Sequence, residues 1–189
     1  KVPKLCLIGL GNPGSKYNNT RHNVGKDWLI AASKSYCDDF SYKEKFQAEI
    51  ATSHSDEILW VIPDNYVNNS GKTVMKLMKN MNLKEDRIII FHDDLDLNPG
   101  EVRLKEDGGH GGHNGLRDIF EKVGTRKFLR MRIGVGHPGS KEMVSSWVLN
   151  KFHPTDKKYV DLAYDKFMSV LDMIFNNDFS EAQKSLHTK

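Results

Sequence analysis

A chain of 189 residues is long enough for one domain with a sizeable core and too short for a comfortable pair, so one site is expected. Lys and Arg total 28 against 25 Asp and Glu, a net charge of +3, which excludes a histone-like polycation and confines any nucleic-acid contact to a local patch. Cys6 and Cys37 form no C-x-x-C and no apolar run approaches the roughly 20 residues of a membrane span; the expectation is a soluble protein with free thiols in a reducing cytoplasm, its start at Lys1 reading as a trimmed N-terminus.

In chain order, an apolar strand is predicted over Leu5–Leu10, running straight into Gly11-Asn12-Pro13-Gly14. A helical pattern follows at Trp28–Ser35, a weaker alternating strand near Phe46–Thr52, and an apolar strand at Ile58–Ile62 that enters Pro63-Asp64-Asn65-Tyr66-Val67-Asn68. A helix over Val74–Met81 precedes the strand Ile88–Phe91, which ends in His92-Asp93-Asp94. A weaker strand at Val102–Leu104 is followed by a helix with Leu116, Ile119, Phe120 and Val123 on one stripe, then a strand at Leu129–Val135. After Pro154 a longer helix carries Val160, Ala163, Phe167, Val170, Leu171 and Ile174. Strands alternating with helices predict an α/β single domain, a mixed twisted β-sheet sandwiched between α-helices, spanning 1–189. Near-continuous apolar strands fit a sheet covered on both faces. In such sheets ligands bind beyond the carboxyl ends of the strands, where this chain places Asn, His and Asp.

Gly9, Gly11 and Gly14 spell G-x-G-x-x-G. A dinucleotide fingerprint needs the third glycine inside a helix and an acidic residue closing the next strand about 20 residues on. Here Gly14 is followed by polar "SKYNNTRHN" and then by a helical pattern, so the better reading is a tight turn that brings the backbone round to a site.

Four asparagines, Asn12, Asn68, Asn69 and Asn114, stand at strand ends and helix entrances, where asparagine is a favoured cap or turn residue. Their amides are also neutral donors able to grip a carbonyl or a developing oxyanion. His22 lies in "TRHNVG" before a helix, and Asp93, at the lip of a buried strand, needs a partner such as an imidazole. His92, His110, His113, Asp93, Asp94 and Asp96 keep a metal-dependent hydrolase open, although the "HGGH" glycines break the helix that would align a histidine pair. The run "DGGHGGHNG" reads as a flexible approach to the next helix. There is no G-x-S-x-G elbow, so a hydrolase built on these residues uses water as nucleophile.

The words "GLGNPG" with Tyr17, "TRHNVG", "NNSGK", "HDDLDL", "GGHGGHNGLRD" and "RMRIGVGHPG", in that order, resemble the bacterial-type peptidyl-tRNA hydrolases. The resemblance implies a monomeric cytoplasmic esterase, free of cofactor and metal, that cleaves the bond between a peptide and the 3′-terminal ribose of tRNA. It implies that His22 is the base activating water and that Asp93 holds and polarises it. Asn12 is implied to read the peptide backbone; Tyr17, Tyr66, Asn68 and Asn114 to contact the tRNA 3′ end or its peptide, Asn114 also positioning water. Lys105 and Arg132 match family positions at the tRNA phosphates. Arg103 and Lys105 alternate on one face of their strand, as do Arg130 and Arg132, with Leu104, Met131 and Ile133 opposite, which reads as an exposed basic face. Val67 stands where the family commonly has methionine and Asp107 where glycine is usual. A rival from another class is a non-catalytic RNA-binding protein on the same scaffold.

Overall fold

The computed structural model describes residues 2–187. Seven strands form one sheet: β1 (Leu5–Gly9), β2 (Ser41–Lys43), β3 (Ala48–Thr52), β4 (Ile58–Pro63), β5 (Ile88–Asp94), β6 (Val102–Glu106) and β7 (Leu129–Gly134), in the order β2-β3-β4-β1-β5-β7-β6. The central run β4-β1-β5-β7 is parallel, while β2, β3 and β6 add antiparallel pairs at the two margins. The sheet is therefore mixed, as expected. The helices are α1 (Val24–Ser33), α2 (Gly71–Met81), α3 (Asn114–Val123), α4 (Val144–Leu149), α5 (Pro154–Phe175) and α6 (Phe179–His187).

Alternation along the central strands sends side chains into two cores. Leu7, Trp60, Phe91 and Met131 meet Trp28 of α1, Phe167 and Leu171 of α5 and Leu186 of α6 on one face. Ile8, Val61, Ile88 and Ile90 meet Val74 and Leu77 of α2 and Leu116 and Ile119 of α3 on the other. Both faces are buried around β1, β4 and the Ile88–Phe91 part of β5, which therefore read as near-continuous apolar runs, whereas β7 alternates, with Arg130 and Arg132 between Leu129, Met131 and Ile133. Phe167 stacks at 5.5 Å on Trp28 and meets Phe91 edge-on at 5.3 Å.

Two departures from the sequence expectation bear on the site. β5 continues through His92 and Asp93 to Asp94, because parallel pairing with β7 runs on to Asp93↔Ile133 and Asp94↔Gly134. Asp93 thus sits on a rigid strand and not in the loop after it. Helix α1 begins at Val24, four residues before the predicted Trp28, so that it starts directly behind His22. It lies close on β5: a Cβ on Gly25 would stand 2.2 Å from the Phe91 carbonyl oxygen, so only glycine allows this approach.

Candidate active site

The carboxyl ends of β1, β4, β5 and β7 open into a cavity of about 1280 Å³. The nine residues to which the resemblance assigns roles all line it: His22 and Asp93 with Asn12, Tyr17, Tyr66, Asn68 and Asn114, and further along Lys105 and Arg132.

The turn Arg21–Asn23 sends its three side chains to three different neighbours. His22 Nδ1 lies 2.8 Å from Asp93 Oδ2, across 71 residues of sequence. A carboxylate only accepts, so Nδ1 carries the proton and Nε2 keeps a lone pair. Asn23, fully buried, clamps the main chain of Asn12 from both sides: Asn12 N donates to Asn23 Oδ1 at 2.8 Å and Asn23 Nδ2 donates to Asn12 O at 3.0 Å. Arg21 points away from the cavity, into α4.

His113 holds the second oxygen of Asp93, with Nε2 2.8 Å from Oδ1. Its Nδ1 accepts from the backbone N–H groups of Gly115 and Leu116, at 3.1 and 3.2 Å, so the proton sits on Nε2 and is donated to Asp93. His113 is therefore the N-cap of α3. The capping reading of Asn114 fails for the same reason, and no side-chain cap bond is made by Asn68 or Asn69 at the entrance to α2. Asn68 and Asn114 stand exposed at the rim instead.

Burial opposes the charge of Asp93, but His22 and His113 around it outweigh that and hold its carboxyl well below the usual carboxylate range. Burial likewise opposes the imidazolium of His22, and the charge and hydrogen bond of Asp93 overcome it, raising the His22 pKa above the ordinary histidine value. His92 is pushed down to about 4, by burial first and then by His113. Its Nδ1 donates to the Asp93 carbonyl at 2.8 Å. It is a neutral ring packed edge-on against His113, 5.3 Å away.

Asn12 is 7 % exposed, and its Oδ1 accepts from Val67 N at 2.8 Å. That bond fixes which way the amide faces and leaves Nδ2 as the donor. Val67, where the family commonly has methionine, is buried with a Cγ against Gly115. Tyr17 and Tyr66 meet edge-on at 6.2 Å near the mouth.

The exposed basic face is only partly present. Leu104, Met131 and Ile133 do point into the core. Arg130, however, is 3 % exposed, because the segment after Asp107 folds over it. Its guanidinium donates to the carbonyls of Asp107, Gly108 and Gly109. The glycine run is thus clamped from beneath rather than a loose approach, and Arg130 is unavailable to a phosphate. Asp107 itself adopts φ 63°, a left-handed conformation that aspartate tolerates and glycine would adopt more easily. Arg132 pairs with Asp94, Nε to Oδ2 at 2.7 Å, while Lys105 is exposed.

His22, Asp93 and His113 also present ligand atoms within 4.8 Å of one another, the one group among the described residues with metal-binding potential. A cation there would have to displace both protons that now join the rings to the carboxylate. As it stands, the arrangement is an imidazole held by a doubly anchored carboxylate, with amide groups at the rim and cations further along.

The peptidyl-tRNA hydrolase pattern matches residues 6–189. The peptidyl-tRNA hydrolase of Francisella tularensis subsp. tularensis strain SCHU S4 is 41 % identical over 191 residues, covering 100 % of both chains. That of Pasteurella multocida strain Pm70 is 40 % identical over 185 residues, 96 % of this chain and 95 % of the other. The crystal structure of peptidyl-tRNA hydrolase from Acinetobacter baumannii superposes with a TM-score of 0.93 at 36 % identity, covering 100 % of this chain and 97 % of that one. With sequence agreement and backbone agreement both running the length of the chain, the cavity at the strand ends is that of a member of the peptidyl-tRNA hydrolase family.

Proposed function

We propose that this peptidyl-tRNA hydrolase cleaves its ester by a water that His22 deprotonates through Nε2, with Asp93 holding the imidazole. The observation that carries the reading is the 2.8 Å contact of His22 Nδ1 with Asp93 Oδ2, which commits one nitrogen and leaves the other basic in the cavity. The water gives its proton to Nε2 as its oxygen attacks the ester carbonyl. Asp93 stabilises the imidazolium so formed, and that imidazolium then returns the proton to the departing ribose oxygen. General-base assistance of this kind contributes roughly 10²–10⁴-fold. The rim amides of Asn68 and Asn114 supply donors for the oxyanion or the water, each worth roughly 10²–10³-fold when well aimed.

The cavity also has the polarity of the substrate. At one end Asn12 offers an N–H donor for a peptide carbonyl, beside the aromatic pair Tyr17 and Tyr66. At the other, Lys105 and Arg132 face the phosphates of the acceptor end. We assign a monomer, as the resemblance implies, and no helix among the described residues is long and apolar enough to cross a membrane. We place the enzyme in the cytoplasm, where its substrate arises.

His22→Ala tests the reading against both a metal-dependent hydrolase and a non-catalytic RNA-binding protein. Wild-type protein should hydrolyse peptidyl-tRNA at full rate with a chelator present. The variant should lose at least about 10²-fold in kcat while binding tRNA within a few fold. Chelator-sensitive turnover, or a variant with wild-type kcat, would remove His22 from the role of base.

A further inference from the structure

Arg21 neighbours the base in sequence yet is 2 % exposed and turned away from the cavity. Its guanidinium carbon lies 3.4 Å from the centroid of the Trp147 ring, with the Phe152 ring at 5.8 Å. Nη1 donates to the Trp147 carbonyl at 2.9 Å. Two main-chain ties run alongside: Arg21 N donates to Asn150 O at 3.0 Å, and Thr20 bridges to Lys151. Trp147 in turn donates its indole N–H to the Gly136 carbonyl at 2.9 Å, just beyond β7. Helix α4 is thereby joined on one side to the turn carrying His22 and on another to the end of β7. Its Val144, Ser145, Val148 and Leu149 form a wall of the cavity.

Such an arrangement bears a cost. The Arg21 Nε is buried with no partner among the described residues, and burying a guanidinium incompletely bonded loses hydration that a surface side chain would keep. Stability alone is a weak reason for a buried cation. What arginine supplies is a flat, rigid plate whose height over an indole is fixed, which lysine or an aliphatic chain cannot match. Placement matters here because a misplacement of about 1 Å in a reacting group can cost roughly 10²-fold.

We propose that Arg21 is a positioning residue: its stack on Trp147 sets the height of His22 relative to the α4 wall, so that the base and the surface against which the substrate rests are held in one frame. The proposal rests on His22 being the base.

The test compares Arg21→Lys, Trp147→Leu and Trp147→Phe with wild type, with the folded fraction measured by circular dichroism and kcat expressed per folded molecule. Arg21→Lys and Trp147→Leu should each lower kcat about tenfold, with KM for peptidyl-tRNA unchanged within about twofold. Trp147→Phe, which keeps a flat ring but not the indole N–H, should restore most of the rate. Unchanged kcat in Arg21→Lys or Trp147→Leu, a rise in KM in place of a fall in kcat, or no rescue by phenylalanine would overturn the proposal. So would failure of both Arg21→Lys and Trp147→Leu to fold, which would make the stack structural. His22→Ala run in parallel separates the two levels: full turnover there removes the base assignment, whereas its loss alongside wild-type kcat in Arg21→Lys removes only the strap.

Discussion

His113 takes the carboxylate oxygen of Asp93 that His22 leaves free, so the two rings grip one carboxylate at 2.8 Å each, their centroids 5.2 Å apart. Asp93 cannot turn about its side-chain bond without breaking one of these contacts, and the orientation of His22 inherits that restraint. The same His113 ring caps α3, so the start of that helix and the direction of the His22 ring share one anchor.

These two duties can be separated. His113→Asn keeps a cap acceptor but does not reach Asp93, whereas His113→Ala loses both. Losing the cap costs about 1 kcal/mol, and leaving a buried carboxylate oxygen unpaired roughly 1–3 kcal/mol more. Thermal melts should rank wild type above His113→Asn above His113→Ala, while kcat falls in both variants. A fall confined to His113→Ala would mean that the grip on Asp93 does not matter to catalysis.

The His22–Asp93 pair fixes the sign of the pH dependence. In the proposed mechanism His22 acts as a neutral base, so the rate should rise with pH through the His22 pKa, which Asp93 holds above the ordinary value of about 6.5. In Asp93→Asn only burial remains, which disfavours the imidazolium, and the midpoint of the acid limb should move below about 6.5 with kcat reduced. Stability follows the same charges. The raised His22 pKa contributes fully below its unfolded value and fades as pH rises through the folded one. The depressed Asp93 pKa contributes above about 3.9 and is lost as pH falls through its lower folded value. The Tm difference between wild type and Asp93→Asn should therefore peak between about pH 4 and 6.5. An acid limb that does not move in Asp93→Asn would show that another group controls it.

Asn12 offers a cleaner substitution than alanine. Asn12→Asp retains the acceptor for Val67 N but replaces the amide donor with an oxygen, so the loop should persist while the grip on a peptide carbonyl is lost. The ratio of kcat/KM for peptidyl-tRNA over aminoacyl-tRNA should drop by about tenfold, the worth of one hydrogen bond of about 1.5 kcal/mol. An unchanged ratio would place selectivity elsewhere on the rim.

At the far end of the cavity, Lys105 and Arg132 should differ. Lys105 is exposed and free to meet a phosphate, so Lys105→Ala should raise KM for full-length substrate at constant kcat and reduce the salt slope of tRNA affinity by about 0.7–0.9. Arg132→Ala also strands Asp94, which repels the same phosphates, so its KM should rise further. A peptide ester of a short 3′ fragment should respond to neither. Equal losses on both substrates would move these cations into the reacting centre.

Asp93 was legible in the sequence because it closes an apolar strand as a carboxylate in need of a partner, whereas His22, in a polar stretch before a helix, was singled out through the resemblance of its word "TRHNVG". His113 was not legible. Its importance depends on a ring reaching 20 residues back along the chain while its other nitrogen meets two backbone N–H groups, and neither relation leaves a periodic trace. Alternation placed Arg130 on the correct face of β7 but could not show that a glycine segment lies over it. Strand β2 escaped for a simpler reason: Ser41–Lys43 is short and wholly exposed, with no apolar alternation to betray it. Arg21 and Asn23 went unread beside His22, though "TRHNVG" contains all three; nothing in the spelling tells which side chain faces the cavity.

The contact of Gly25 with the Phe91 carbonyl lies between the turn that ends at Asn23 and the strand that carries Asp93. There main chain rests on main chain. No side chain intervenes that could be exchanged for one slightly longer or shorter, so the separation of base and carboxylate is not a dial that substitutions at this joint can turn by small amounts. Variation in rate or preference has to be sought at the rim, in the asparagines, tyrosines and cations, while the joint behind His22 tolerates one solution or none.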